Sequence, residues 1–183
     1  HDVFKKNIKT KNLAVISGPS FAIDVAHNEP IGLSIASKNK ETINKIKKVL
    51  ENDTIKLRST TDLIGVELCG SIKNVIAIAA GILEGLGYSE STRSFLITES
   101  LHDIKNLIYG LGGNKKTILS FAGVGDLLLT ATSTKSRNYS YGLLIGQKKY
   151  EEAEEYEKNT TVEGYYTLKS IYTLVRRKKI CMP

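Results

Sequence analysis

One lysine stands inside an otherwise apolar run in CGSIKNVI, residues Cys69 to Ile76. From Leu68 to Leu83 the chain reads LCGSIKNVIAIAAGIL. Within it Ile72, Val75, Ile76, Ala79, Ala80 and Leu83 recur at intervals of three and four, the spacing that lines one face of a helix. Lys73 is the only charge in that stretch. A lysine carried into low-dielectric surroundings either snorkels its ammonium to water or sits desolvated with a depressed pKa, and the second state serves proton transfer. Spacing alone leaves both states open.

Three further segments carry polar chemistry. SGPSFA (Ser17 to Ala22) follows a strand-like run and opens a helical turn, so backbone N–H groups and a hydroxyl can face an anionic or hydroxylated ligand. An ordinary turn, with Ser17 or Ser20 capping and Pro19 fixing φ, accounts for the same residues. AGVGDLLLTATSTKSRN (Ala122 to Asn138) places Asp126 at a helix start and gathers Ser133, Thr134, Ser136, Arg137 and Asn138 in a polar loop. A guanidinium with hydroxyl and amide groups suits a phosphate; simple capping by Asp126 and a solvated turn suit the spacing equally. TVEGYYT (Thr161 to Thr167) reads as a helix start with Glu163 favouring the N-terminal dipole.

The composition narrows the class. With 41% hydrophobic and 25% charged residues in 183, the chain has the balance of a globular protein with a real core. A membrane span over Ile64 to Leu83 is disfavoured, because Glu67 and Lys73 would each cost about 2.5–3.5 kcal/mol near a bilayer centre. Cys69 and Cys181 form no CxxC pair, and His1, His27 and His102 have no metal-ligand spacing, so a reducing compartment and no metal site are expected. The net charge of +7 invites nucleic acid as a partner, but the charge is dispersed. KKNIKTK and RRKK are the dense runs, no aromatics alternate with them, and solvated faces with no nucleic-acid binding are the reading.

Positioning these residues requires two kinds of element. NLAVIS, PIGLSIAS and TIKLRST read as strands, and KETINKIKKVLEN as an amphipathic helix with Ile43, Ile46, Val49 and Leu50 on one side. From Asp62 the pattern turns helical over 62–86, 92–111, 115–121, 126–132, 137–147, 150–156 and 161–178. The fold expected is mainly α: residues 1–60 form the end of an α/β unit and residues 61–183 a helical domain. No G-x-G-x-x-G fingerprint follows a strand. The chain opens on His1 and closes on CMP without an evident last element, so a longer polypeptide is expected.

Taken in order, SGPSFA, TTDLIGVELCGSIKNVIAIAAGILEGLG, FAGVGDLLLTATSTKSRN and TVEGYYT resemble the NAD(P)-dependent glycerol-3-phosphate dehydrogenases of the bacterial type, from about Asn12 onward. The resemblance implies the last strands of a Rossmann domain followed by a helical substrate domain of the 6-phosphogluconate dehydrogenase C-terminal kind, with the glycine fingerprint upstream of His1. It implies Lys73 as general acid/base, with Asp126 orienting it and the substrate. Gly18, Ser20, Asn74, Ser136, Arg137 and Asn138 would complete the substrate site. Ala22, Arg137, Thr161 and Glu163 would reach NAD or NADP. The chain departs from the family pattern at Tyr139-Ser140 and Glu99, where arginines are frequent, which bears on affinity more than on chemistry.

The implied reaction interconverts dihydroxyacetone phosphate and sn-glycerol 3-phosphate in a cytoplasmic homodimer, supplying glycerol 3-phosphate for phospholipid synthesis. An acid must stand within about 2.6–3.2 Å of the carbonyl oxygen, and Lys73 would supply it. Taken by itself the chain is expected to be inactive, with half a cofactor site. Two alternatives compete: a related β-hydroxyacid dehydrogenase, against which GPSFA and SRN argue, and a non-catalytic helical dimerisation module.

Overall fold

The computed structural model of the chain describes residues 1–10, 12–178 and 180; Cys181 and the closing Met182-Pro183 lie outside them. The three β-branched runs form β1 (Val15–Ser17), β2 (Ile31–Ala36) and β3 (Ile55–Thr60), in the spatial order β1-β2-β3. β1 pairs antiparallel with β2, Val15 opposite Ala36, whereas β3 runs parallel to β2 with Ile31 opposite Ile55. A parallel pair needs a crossover, and α3 (Lys40–Leu50) supplies it, started by Asn39, whose side chain accepts the Glu41 N–H at 2.9 Å. Its apolar face is covered only in part. Ile43 joins Ile35 and Leu57 in a buried cluster, but Val49 is 80% exposed, so the expected inward face holds for the first turns alone.

Two short helices belong to this half: α1 (Asp2–Asn7), which runs into the start of the basic stretch KKNIKTK, and α2 (Ala22–Ala26). The rest is helical: α4 (Leu63–Gly85), α5 (Glu90–Gly110), α6 (Asp126–Ala131), α7 (Arg137–Gly146), α8 (Tyr150–Asn159) and α9 (Glu163–Lys178). The helix expected over 115–121 is instead a 3₁₀ turn, Lys115–Leu119, followed by a kinked turn, Phe121–Gly125. The kink sits at Gly123, with φ −87° and ψ −108°, where a Cβ would come within 2.1 Å of the Ile118 carbonyl oxygen. Only glycine allows the chain to fold back that closely.

α4 is the axis of the helical part. Asp62 caps it through the Gly65 N–H at 3.0 Å, and its other carboxylate oxygen accepts from the Asn114 N–H and the Thr117 hydroxyl. This fastens the start of α4 to the loop after α5. By length and composition α4 is the one helix among the described residues able to cross a membrane, yet half of its most apolar window is buried in protein. Leu68, Ile72, Ala77 and Ala80 pack into one core with Leu107, Ile108, Leu127 and Tyr139 from α5, α6 and α7.

α7 lies against α4 at backbone contact. A Cβ on Gly81 would meet the Tyr139 carbonyl oxygen at 2.1 Å, one on Gly142 the Ile78 oxygen at 2.1 Å, and one on Gly146 the Ile82 oxygen at 2.3 Å. The contacts advance by four residues on both helices together, so the pair runs parallel and the N-terminus of α7 is carried to the level of Asn74. Gly164 brings the start of α9 to the same place, its Cβ position 2.5 Å from the Asn74 carbonyl oxygen.

Because no side chain can yield at a backbone oxygen, Gly142→Ala is expected to force the two helices apart and destabilise the fold by about 2 kcal/mol or more. Urea denaturation of the variant beside wild type measures it; an unchanged midpoint would contradict the packing.

Candidate active site

Lys73 projects from the middle of α4 and its ammonium donates to Asp126 Oδ1 at 2.7 Å. The lysine side chain is 23% exposed and the aspartate 2%, so the carboxylate is sealed while the lysine keeps partial access to solvent. Lys73 is half-buried and anchored at its tip. Asp126 does not cap α6 with its side chain, as its position at the helix start suggested. Gly125 precedes α6 and makes no side-chain cap. The Asp126 carboxylate is spent on Lys73, on the Ser17 hydroxyl at 3.3 Å to Oδ2, and on the Thr130 hydroxyl at 3.4 Å to Oδ1.

Ser17 and Thr130 join the site through these bonds. Thr130 stands four residues after Asp126 on α6, a helical neighbour that spacing can reveal. Ser17 is 109 residues distant in sequence, and only the fold brings it there. Gly70 of α4 makes room for it, since a Cβ at that position would stand 3.0 Å from the Ser17 hydroxyl. The expected cap of α2 by Ser17 or Ser20 is absent. Phe21 precedes α2 without a side-chain cap, and the exposed Ser20 hydroxyl donates to the Gly18 carbonyl at 3.3 Å. Gly18 itself is pressed onto β2, where a Cβ would meet the Gly32 oxygen at 2.8 Å.

A second set adjoins the first through Asn74. The Asn74 side-chain amide donates to Glu163 Oε2 at 3.0 Å, and Arg137 donates to Glu163 Oε1 at 3.4 Å. Asn138, buried at the start of α7, accepts the Gly164 N–H at 2.8 Å. Ser136 is buried as the N-cap of α7, accepting the Tyr139 N–H at 3.3 Å. Lys73, Asn74, Asp126, Arg137, Asn138 and Glu163 are thus linked across α4, α6, α7 and α9. Ala22 opens α2 and Thr161 precedes α9; both are exposed, and neither bonds to the Lys73–Asp126 pair.

Burial pushes the Asp126 carboxyl above its ordinary value, and the Lys73 charge and the hydrogen bonds from Lys73, Ser17 and Thr130 pull it back. Cys69, one turn before Lys73, is no nucleophile: burial drives its thiol up to about 12. Among the described residues no cluster of His, Cys, Asp and Glu could hold a metal. The chemistry available is proton transfer at a lysine steadied by a sealed carboxylate, beside an arginine-bearing helix start, on a helical part joined to a small mixed sheet.

Comparison with known proteins gives the family. The family model described as NAD-dependent glycerol-3-phosphate dehydrogenase C-terminus matches residues 62–183, and the one for the N-terminus of the same enzyme matches residues 1–43. The chain therefore belongs to the NAD-dependent glycerol-3-phosphate dehydrogenase family. It is 40% identical over 171 residues to the glycerol-3-phosphate dehydrogenase, named for NAD(P)+, of Staphylococcus epidermidis, covering 93% of this chain and 52% of that protein. The crystal structure of glycerol-3-phosphate dehydrogenase from Coxiella burnetii superposes with a TM-score of 0.87 at 40% identity, over 93% of this chain and 52% of that one. The Plasmodium falciparum glycerol-3-phosphate dehydrogenase shares the fold at 24% identity, with a TM-score of 0.80 over 91% of this chain and 48% of its own. The chain thus spans about half the length of these relatives.

The raised Asp126 carboxyl has a stability consequence. A group whose native pKa lies above its unfolded value stabilises fully below the unfolded value, near 3.8, and that contribution is lost as pH rises through the native value. The stability of wild type relative to Asp126→Asn is therefore expected to fall as pH climbs out of the carboxylate range. Urea midpoints of both proteins at stepped pH decide the sign, and a difference that grows with pH would mean Lys73 outweighs burial.

Proposed function

We propose that this chain furnishes the proton-transfer and substrate-holding half of an enzyme that interconverts dihydroxyacetone phosphate and sn-glycerol 3-phosphate with NAD or NADP. The observation that carries the reading is the Lys73–Asp126 pair, 2.7 Å apart with the carboxylate 2% exposed. Reduction of a ketone requires a proton at its oxygen as negative charge develops there. Lys73 is the donor: a cation fixed by Asp126 and open on one side can bond to that oxygen and stabilise the charge before surrendering the proton. Asp126 holds the ammonium in place and balances its charge between turnovers.

Asn74, on the next position of α4, orients the substrate beside Lys73. Ser136, Arg137 and Asn138 hold the phosphate end, the guanidinium by bidentate bonds and the two buried residues by fixing the start of α7. Gly18 and Ser20 line the pocket from the sheet side. The Arg137 and Glu163 side chains are each 53% exposed and joined at 3.4 Å, so both retain donors and acceptors for a dinucleotide. With Thr161 and Ala22 they form the cofactor rim. A bound nicotinamide supplies the hydride; this chain positions, protonates and excludes water.

In this reading residues 1–60 close the cofactor domain and residues 61–183 form the substrate domain. The enzyme is a cytoplasmic homodimer whose product feeds phospholipid synthesis.

The test uses the complete protein with dihydroxyacetone phosphate and either NADH or NADPH. Lys73→Ala is expected to lower turnover by about 10²–10⁴-fold, the scale of lost general acid catalysis, with cofactor affinity unchanged. Thermal melting controls for the carboxylate left buried, and Lys73→Arg, which keeps the charge but cannot give up its proton, is expected to be as inactive. Normal turnover in either variant would refute the assignment.

A further inference from the structure

A separate polar cleft of about 250 Å³ lies between β3 and the turns after α5, lined by Ser34, Arg58, Ser59, Thr60, Lys116 and Ser120 among others. None of the residues assigned to the active site contributes to it, and no carboxylate lines it. Its cations are uncommitted: among the described residues neither Arg58 nor Lys116 has an ion-pair partner. Arg58 is nevertheless held, because its guanidinium lies over the Phe121 ring at 5.0 Å. That ring is fixed in turn against Gly32, where a Cβ would come within 2.4 Å of it. This cation–π contact holds the guanidinium without using its N–H groups on a protein acceptor.

The hydroxyls in the cleft are biased the same way. Ser34 Oγ accepts the Ala122 N–H at 3.1 Å, Ser120 Oγ the Gly123 N–H at 3.3 Å and Thr60 Oγ1 the Asp62 N–H at 3.2 Å. Each has spent acceptor capacity on the backbone, and none donates its proton to a protein acceptor among the described residues. Ser34 is 1% exposed, so its donor lies at the floor, away from bulk water. Asn114 and Thr117 also line the cleft, and both donate to the Asp62 carboxylate behind it, so that charge is already held by protein donors. Two cations and free hydroxyl donors at the cleft surface complement an oxyanion. The volume falls below the roughly 300–1,000 Å³ of drug-sized pockets, which suits an ion or a small monoester.

We propose that this cleft is a second anion site, formed by Arg58, Lys116 and the Ser34, Thr60 and Ser120 hydroxyls, for a tetrahedral phosphate group. The group is carried either by inorganic phosphate or by a small phosphate monoester. The site is independent of the catalytic reading, since it shares no residue with Lys73, Asp126 or the start of α7.

The complete protein is titrated with inorganic phosphate and, in a second arm, with methyl phosphate, at ionic strength held constant with chloride. Amide resonances of Thr60 and Ser120 and the Arg58 side-chain N–H are followed by NMR. Saturable shifts at these positions are expected. Replacing both cations, Arg58→Gln with Lys116→Gln, should weaken them about tenfold or more, the scale of a lost charge-assisted bond. Arg137→Gln should leave them unchanged. Tighter binding of phosphate assigns the cleft to the free ion, tighter binding of methyl phosphate to a monoester. The proposal is overturned if the shifts do not saturate, if they survive the double substitution, or if they vanish with Arg137→Gln.

Discussion

The backbone-to-backbone seam between α4 and α7 is the constraint on which the helical part depends. Helices normally stand 8–10 Å apart because side chains hold them off. Here Gly81, Gly142, Gly85 and Gly146 remove those spacers, and each helix rests on the carbonyl oxygens of the other. The register is fixed by shape, since sliding either helix would drive a side chain into main chain. What the register sets is the level at which α7 begins. Ser136 to Asn138 arrive beside Asn74, and Gly164 admits α9 to the same level, where Asn138 accepts its N–H. A polar cluster drawn from four helices therefore follows from a few missing Cβ atoms distant from it.

The Lys73–Asp126 pair is the electrostatic counterpart. Sealing a carboxylate costs several kcal/mol, and a single ion pair seldom repays it in full. The raised Asp126 carboxyl is the trace of that deficit, with burial as the larger effect and the bonds from Lys73, Ser17 and Thr130 as the compensation. An arrangement chosen for stability alone would fill the place with an apolar residue. Two competing pulls on one proton, from burial and from a cation, are what a proton-handling site requires. The aspartate also gains something that a surface partner would not provide, because its rigid setting fixes where the ammonium points.

Much of this was legible in the sequence, for identifiable reasons. The three strands show as apolar β-rich runs, and glycines at Gly85-Leu-Gly87, Gly110 to Gly113 and Gly123-Val-Gly125 punctuate the helical part, so element extents are readable to within a few residues. The turn from Lys115 to Gly125 was not, because a 3₁₀ turn followed by a kink has apolar composition without a helical period. Lys73 stood out because a charge interrupts an apolar face. Asp126 stood out for the wrong local reason: position suggested a cap, and tertiary structure made it a counter-ion. Ser17 could not be found, since hydroxyls at strand ends are common and its partner lies across the chain. Val49 matched the helical period of α3, yet nothing covers the last turns of that helix among the described residues, and period alone carries no information about cover.

Ser17 also explains how the two kinds of structure are joined. It is the last residue of β1, and its hydroxyl reaches Asp126 on the first turn of α6. Beside it Pro19 packs against Gly125, where an added Cβ would lie 3.4 Å from the ring. On β2, Ser34 receives the Ala122 N–H, and the Phe121 ring covers Gly32. The start of the kinked turn Phe121–Gly125 thus lies on β2, and the residue that follows the turn, Asp126, is the counter-ion of Lys73. Through Ser17 and the turn before α6, the charge environment of Lys73 is tied to how the sheet and the helices are seated.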